Sequence, residues 1–153
     1  MVNLSNPAAR LAFVAPYAQK FGLDAAIVAA VCEQESDWEP GAVRFEPAFL
    51  RRYVVPMNLP LLEGLDRSTS WGLMQIMGQT AIECGFSGNL NTLRDPDLGV
   101  YYGCRKLQKC FSIHGDAETA LLAYNGGSKA AYPAQVLARV KNYPPPPAAT
   151  IAT

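Results

Sequence analysis

Apolar residues recur at intervals of three and four along most of this chain, in runs bounded by capping residues, and that period commits the chain to helices. Asn6 before Pro7 reads as a cap followed by a first-turn proline, after which Leu11, Val14 and Ala18 share a face until Phe21-Gly22. Asp24 caps a second helix that runs through residues 25–32 to about Ser36 and is stopped by Trp38-Glu39-Pro40-Gly41. Further helices are predicted over residues 78–84, from Asp95-Pro96 to about Phe111, over residues 117–124 behind Asp116, and from Pro133 to about Asn142. Asn125-Gly126-Gly127 reads as a left-handed stop. Residues 42–70 hold no clean period and carry prolines at 47, 56 and 60, so they are expected to form a long irregular excursion with one short helix at 48–53. Loops of that length are usually functional. Residues 71–77 are expected as an extended, buried turn. The fold class is therefore mainly α, a small helical domain over residues 1–143 with one irregular lobe, followed by a polyproline-like tail over 144–153.

Composition narrows the function. The chain has 153 residues, half of them hydrophobic and 17% charged, which suits one globular domain. A chain of this length buries roughly 68–70% of its unfolded surface, so it needs no staple. Thirteen basic residues balance thirteen acidic ones without a basic run, which argues against nucleic acid as a partner. No stretch approaches the ~18 to 20 apolar residues of a membrane span. The single histidine, His114, lies in a segment that looks like a helix-to-helix turn, where a solvated or capping role is expected. One histidine cannot supply a two-histidine zinc site, and no metal or organic cofactor is expected. Cys32, Cys84, Cys104 and Cys110 lack a C-x-x-C spacing and read as mostly free and buried, although Cys84 could meet Cys104 or Cys110 in the fold. The N-terminus has no positively charged start, so the chain is expected to be made in the cytoplasm or to have lost a leader.

The most informative residue is Glu35. Seven positions back lies Val28, only about 20° away around a helix, and Ile27 and Val31 lie within roughly 80° of it. A carboxyl on that stripe is carried toward the packed side, whereas Glu33 points elsewhere and can stay in water. Burial beside apolar groups disfavours the charged form, and that keeps a general acid protonated near neutral pH. A polar residue closing a stripe at a frayed helix end would give the same pattern.

Three segments separate these readings. Glu35-Ser36 at a helix end, then Gly72-Leu73-Met74-Gln75-Ile76-Met77, then Ala123-Tyr124-Asn125-Gly126-Gly127 follow one another within residues 23–142. Together they resemble the catalytic domain of soluble (SLT-type) lytic transglycosylases and goose-type lysozymes. The resemblance implies a lysozyme-like fold and peptidoglycan glycan strands as the partner, cleaved between N-acetylmuramic acid and N-acetylglucosamine. Glu35 would donate a proton to the glycosidic oxygen and then act as base. Ser36 would orient groups in the cleft. Gln75 and Met77 would line it, with Gln75 offering donor and acceptor to an N-acetyl group. Tyr124 and Asn125 would face the acid from the other side, the phenol steadying the proton or the sugar and the amide holding backbone. In that family the substrate's acetamido group and its muramyl 6-hydroxyl complete the reaction, which implies 1,6-anhydromuramyl products from a single protein carboxyl. A monomer acting on the cell wall is expected, either phage-encoded and delivered by holin or virion, or bacterial and trimmed of its leader.

The chain departs from the commonest pattern by inserting Val43-Arg44-Phe45-Glu46-Pro47 and a long loop before Ser70-Trp71-Gly72-Leu73. Glu46 has two readings. It could return over the cleft as a second catalytic carboxylate holding a water, which would make an inverting muramidase or a chitinase-like enzyme. It could equally pair with Arg44, Arg51 or Arg52 to pin the loop. Asp37 and Asp66 are weaker candidates for the first role. A module that grips glycan without cleaving it is the alternative of another class.

Overall fold

The computed structural model describes residues 2–144, so the proline tail from residue 145 onward lies outside the described residues. The first helix, α1 (Pro7–Phe21), begins where the Asn6 side chain accepts the Ala9 amide at 2.9 Å and ends at Gly22, whose φ of +64° is left-handed. In α2 (Ala25–Ser36) the Asp24 carboxylate accepts the amides of Ala26 and Ile27 at 2.7 and 3.3 Å. Five consecutive α2 residues, from Val28 to Cys32, are buried, so this helix is enclosed on every side through its middle. Against it pack α1 and α8 (Tyr132–Arg139), and α6 (Pro96–His114) and α7 (Ala117–Tyr124) complete one core with Val14, Val100, Leu107, Leu121 and Val136. Each such aliphatic side chain contributes roughly 1.5–3 kcal/mol by leaving water.

Between α2 and α6 the chain builds a second lobe. Strand β1 (Val43–Phe45) pairs antiparallel with β2 (Thr69–Trp71), and β2 pairs with β3 (Ile76–Met77), with Val43 opposite Trp71 and Trp71 opposite Ile76. From β1 the chain enters α3 (Pro47–Phe49), which continues as a π-helical turn over Leu50–Val54 and a 3-10 turn over Val55–Met57, and then α4 (Leu61–Arg67). Trp71 and Ile76 form a smaller core with Ala81 of α5 (Gly78–Glu83) and with Phe86, Leu90 and Leu93.

The mainly α class, the helix caps and the buried turn at 71–77 are as expected, while one expectation is corrected and one extended. The excursion over residues 42–70 is largely helical, extending well beyond residues 48–53. Only Val54 and Gly64 are buried in its helical segments, while Leu61 and Leu62 are more than 70% exposed, so no apolar stripe marks its period. The buried segment 71–77 is the hairpin of a three-stranded sheet, whose outer strand β1 is exposed at all three positions and shows no alternation. His114 is the exposed last residue of α6, and Gly115 and the cap Asp116 follow it. All four cysteines are free, with Cys32, Cys84 and Cys104 buried. No helix among the described residues is long and apolar enough to cross a membrane.

Candidate active site

A cleft of about 500 Å³ separates the two lobes. The helical lobe lines it with Glu35 from the end of α2, Lys106 from α6, and Tyr124 and Asn125 from the end of α7. The other lobe contributes Arg44, Glu46, Phe49, Ser70, Gln75, Met77 and Thr80. Glu35 reaches the cleft because α2 stops immediately beyond it: Asp37 and Trp38 both take positive φ, at +50° and +64°. The buried Trp38 indole donates to the Tyr143 hydroxyl at 2.6 Å, which anchors the break. Ser36 fixes the same helix end from the other side, its Oγ lying 2.8 Å from the Leu73 carbonyl and 3.0 Å from that of Cys32.

Glu35 is half-buried and accepts a hydrogen bond from the Tyr132 hydroxyl at 2.6 Å. Burial raises its proton affinity above the ordinary carboxylate value, and the Tyr132 hydrogen bond, followed by the charges of Lys106, Arg44 and Lys129, opposes that rise without reversing it. The phenol of Tyr132 is itself pushed far up by burial and by the Glu35 charge, so it acts as a donor and not as an ionised group.

The opposite wall is set by the turn between β2 and β3. Gly72 takes φ +69°, and a Cβ there would stand 2.3 Å from the Leu93 carbonyl oxygen, so the close approach requires glycine. Gln75 also takes positive φ, +46°, which is unfavourable for a residue with a Cβ. Its Nε2 donates to the Ala42 and Gly72 carbonyls, each at 3.0 Å, which compensates the turn and holds the side chain at the cleft wall. Tyr124 is buried, and its hydroxyl donates to the Met74 carbonyl at 2.8 Å. Lys106 Nζ donates to the Tyr124 carbonyl at 2.7 Å and stands 4.1 Å from the centre of the Tyr124 ring. Burial lowers the proton affinity of this ammonium. Among the described residues no three His, Cys, Asp or Glu side chains gather as a metal centre would require.

The transglycosylase SLT domain model matches residues 13–142, nearly the whole described chain. The chain belongs to this family. A protein of Enterobacteria phage PRD1 named "Transglycosylase" is 38% identical over 85 residues, which covers 53% of this chain and 29% of the phage protein. The chain thus spans less than a third of that relative's length. No solved structure matches it.

In this SLT domain the residues singled out in the sequence mostly converge: Glu35, Glu46, Gln75, Met77, Tyr124 and Asn125 all line the one cleft. Three details differ from expectation. The phenol that reaches the carboxyl belongs to Tyr132, because the Tyr124 hydroxyl is taken up by Met74. Ser36 braces the α2 end against the turn and is not among the cleft-lining residues. Glu33 does not stay in water: the segment after α8 folds back onto it, with the Tyr143 hydroxyl donating at 2.6 Å and Asn142 Nδ2 at 3.1 Å. Glu46 lies in the cleft and pairs with Arg44 Nε at 2.5 Å. Asp37 is the exposed cap of α2, and Asp66 borders a separate groove with Glu63 and Arg67. Sequence reasoning missed Tyr132 and Lys106. A tyrosine directly before the helix-opening Pro133, and a lysine between Gly103 and Leu107 on the packed stripe of α6, were the available signals.

Proposed function

We propose that this SLT domain cleaves the β-1,4 bond between N-acetylmuramic acid and N-acetylglucosamine in peptidoglycan and leaves 1,6-anhydromuramyl ends. The reading is carried by one observation: a half-buried carboxyl with raised proton affinity, held by Tyr132, at the wall of a cleft large enough for sugar rings. Glu35 gives its proton to the glycosidic oxygen as the bond to the muramyl anomeric carbon breaks, and the bonding pair leaves with that oxygen. The substrate's acetamido group supports the electron-poor carbon. The muramyl 6-hydroxyl oxygen then closes on it and returns its proton to Glu35, so no water is consumed. The Gln75 carbonyl and the Asn125 amide suit hydrogen bonding to the sugar's polar groups, with Met77 and the Tyr124 ring as apolar wall. The phage source of the relative is in keeping with a wall-cleaving domain delivered by a virus.

Glu46 carries a second reading, because it shares the cleft and could hold a water opposite Glu35 for hydrolysis with inversion. Its pairing with Arg44 favours a role in pinning the loop. Mass spectrometry of digested peptidoglycan separates the two, since ring closure gives products lighter by one water than hydrolysis does. Glu35→Gln keeps the shape and removes the transferable proton, and activity should fall by roughly a hundredfold or more. Full activity in that variant would end the assignment of Glu35 as acid.

A further inference from the structure

Packing does not account for Lys106. It lies on the stripe of α6 that carries the buried residues Gly103 and Leu107, where an ammonium is costly unless its charge is used. Among the described residues no carboxylate stands within ion-pair distance of it. Its one hydrogen bond goes to the Tyr124 carbonyl, its charge sits over the Tyr124 ring, and its cleft side is shared with Glu35. Tyr124 in turn holds the Met74 carbonyl, next to Gln75.

We propose that Lys106 is a positioning residue for proton transfer by Glu35: it fixes Tyr124 by ring and carbonyl, and it supplies the cation that steadies the carboxylate left on Glu35 once the proton has gone to the glycosidic oxygen. The proposal rests on the reading of Glu35 as the acid. Tyr132 from α8 contacts Glu35 directly, Lys106 from α6, Arg44 from β1, Lys129 from the loop before α8 and Tyr124 line the same cleft, and Cys32 lies one turn back on α2. The groups acting on Lys106 are Glu35, Cys110 on its own helix and Cys84 after α5. Of the three cations, Arg44 shares its charge with Glu46 and Lys129 is exposed, whereas Lys106 is half-buried against the Tyr124 ring and has no ion-pair partner among the described residues. A nearby cation favours the charged carboxylate, so its loss leaves Glu35 protonated to higher pH and a poorer proton donor.

The test compares kcat and KM on purified peptidoglycan across pH for the wild-type chain, Lys106→Gln and Lys106→Arg, beside Glu35→Gln. Lys106→Gln retains a donor for the Tyr124 carbonyl and loses the charge, so it separates the electrostatic role from the structural one. We expect kcat to fall roughly ten- to hundredfold with little change in KM, and the alkaline limb of the profile to move to higher pH. Lys106→Arg should restore the limb and most of kcat. Circular dichroism confirms that each variant is folded; if Lys106→Gln is not, the limb in Lys106→Arg and a carbon-13 NMR titration of Glu35 in both proteins give the same reading. An unmoved limb overturns the proposal whether or not kcat falls. If Glu35→Gln stays active, the acid assignment itself is lost. If Glu35→Gln is inactive while Lys106→Gln matches wild type, only the role of Lys106 is lost.

Discussion

Glu35 is held by opposing forces, and each can be removed separately. Burial favours its protonated form, while the Tyr132 hydrogen bond and the nearby cations favour the charged one. The folded chain holds the Glu35 proton more tightly than the unfolded chain does, so this group's contribution to stability is full below its ordinary value of 4.5 and is lost as pH rises through the folded value. At neutral pH the charged form of this half-buried carboxyl costs stability, and Glu35→Gln removes that cost. Thermal denaturation should therefore show the variant more stable than wild type at neutral pH, with the gap closing near pH 4; a gap independent of pH would contradict the raised proton affinity. Tyr132→Phe removes the hydrogen bond to the charged form, so Glu35 should stay protonated to higher pH. The alkaline limb of kcat/KM should move upward and kcat should fall roughly tenfold or more, since a hydrogen bond to a charged group is involved. The position of Glu35 was legible because it depends on seven residues of one helix. Tyr132 and Lys106 were not, because their roles depend on partners 97 and 18 residues away, and Lys106 stands beside Arg105 in what reads as a solvated basic face.

At the level of elements, the cleft depends on a turn that has almost no freedom. Gly72 passes so close to the Leu93 carbonyl that a methyl group cannot fit, and its positive φ adds strain for any residue with a Cβ. Gly72→Ala should cost about 2–4 kcal/mol, measured by denaturant unfolding. Activity should fall further than stability alone accounts for, because Gln75 donates to the Gly72 carbonyl and would shift with it. A variant with wild-type stability would show that the turn relaxes without harm. Helices with side-chain caps, such as those behind Asn6, Asp24, Asp95 and Asp116, were readable because cap and stripe are both local. The sheet was not: its strands are two or three residues long, too short for a period of two to show, and its pairing joins Val43 to Trp71 across the whole excursion. Within the excursion the short helix at 48–53 was readable, whereas the turn over Val55–Met57 and α4 were not, because neither has a side-chain cap.

For the molecule as a whole, the helical lobe supplies Glu35 and the larger buried core, and the sheet lobe forms the opposite wall of the cleft. Ser36 and Tyr124 join the lobes by hydrogen bonds to the carbonyls of Leu73 and Met74, whose side chains are wholly buried in the helical core. The docking of the lobes therefore relies on packing and not on covalent staples. The four thiols are free, three of them are buried, and burial raises the proton affinity of Cys32, of Cys104 to about 12, and of Cys110. A thiol reacts as its thiolate, so these groups should be slow even at mildly alkaline pH. In the native protein at pH 8 a disulfide-exchange reagent should label Cys110 first and the other three only on the time scale of opening, whereas in denaturant all four should react together. The melting temperature should be the same with and without reductant. Rapid native labelling of two or more cysteines, or a melting temperature lowered by reductant, would show that the cores of the two lobes are looser, or more cross-linked, than their packing implies.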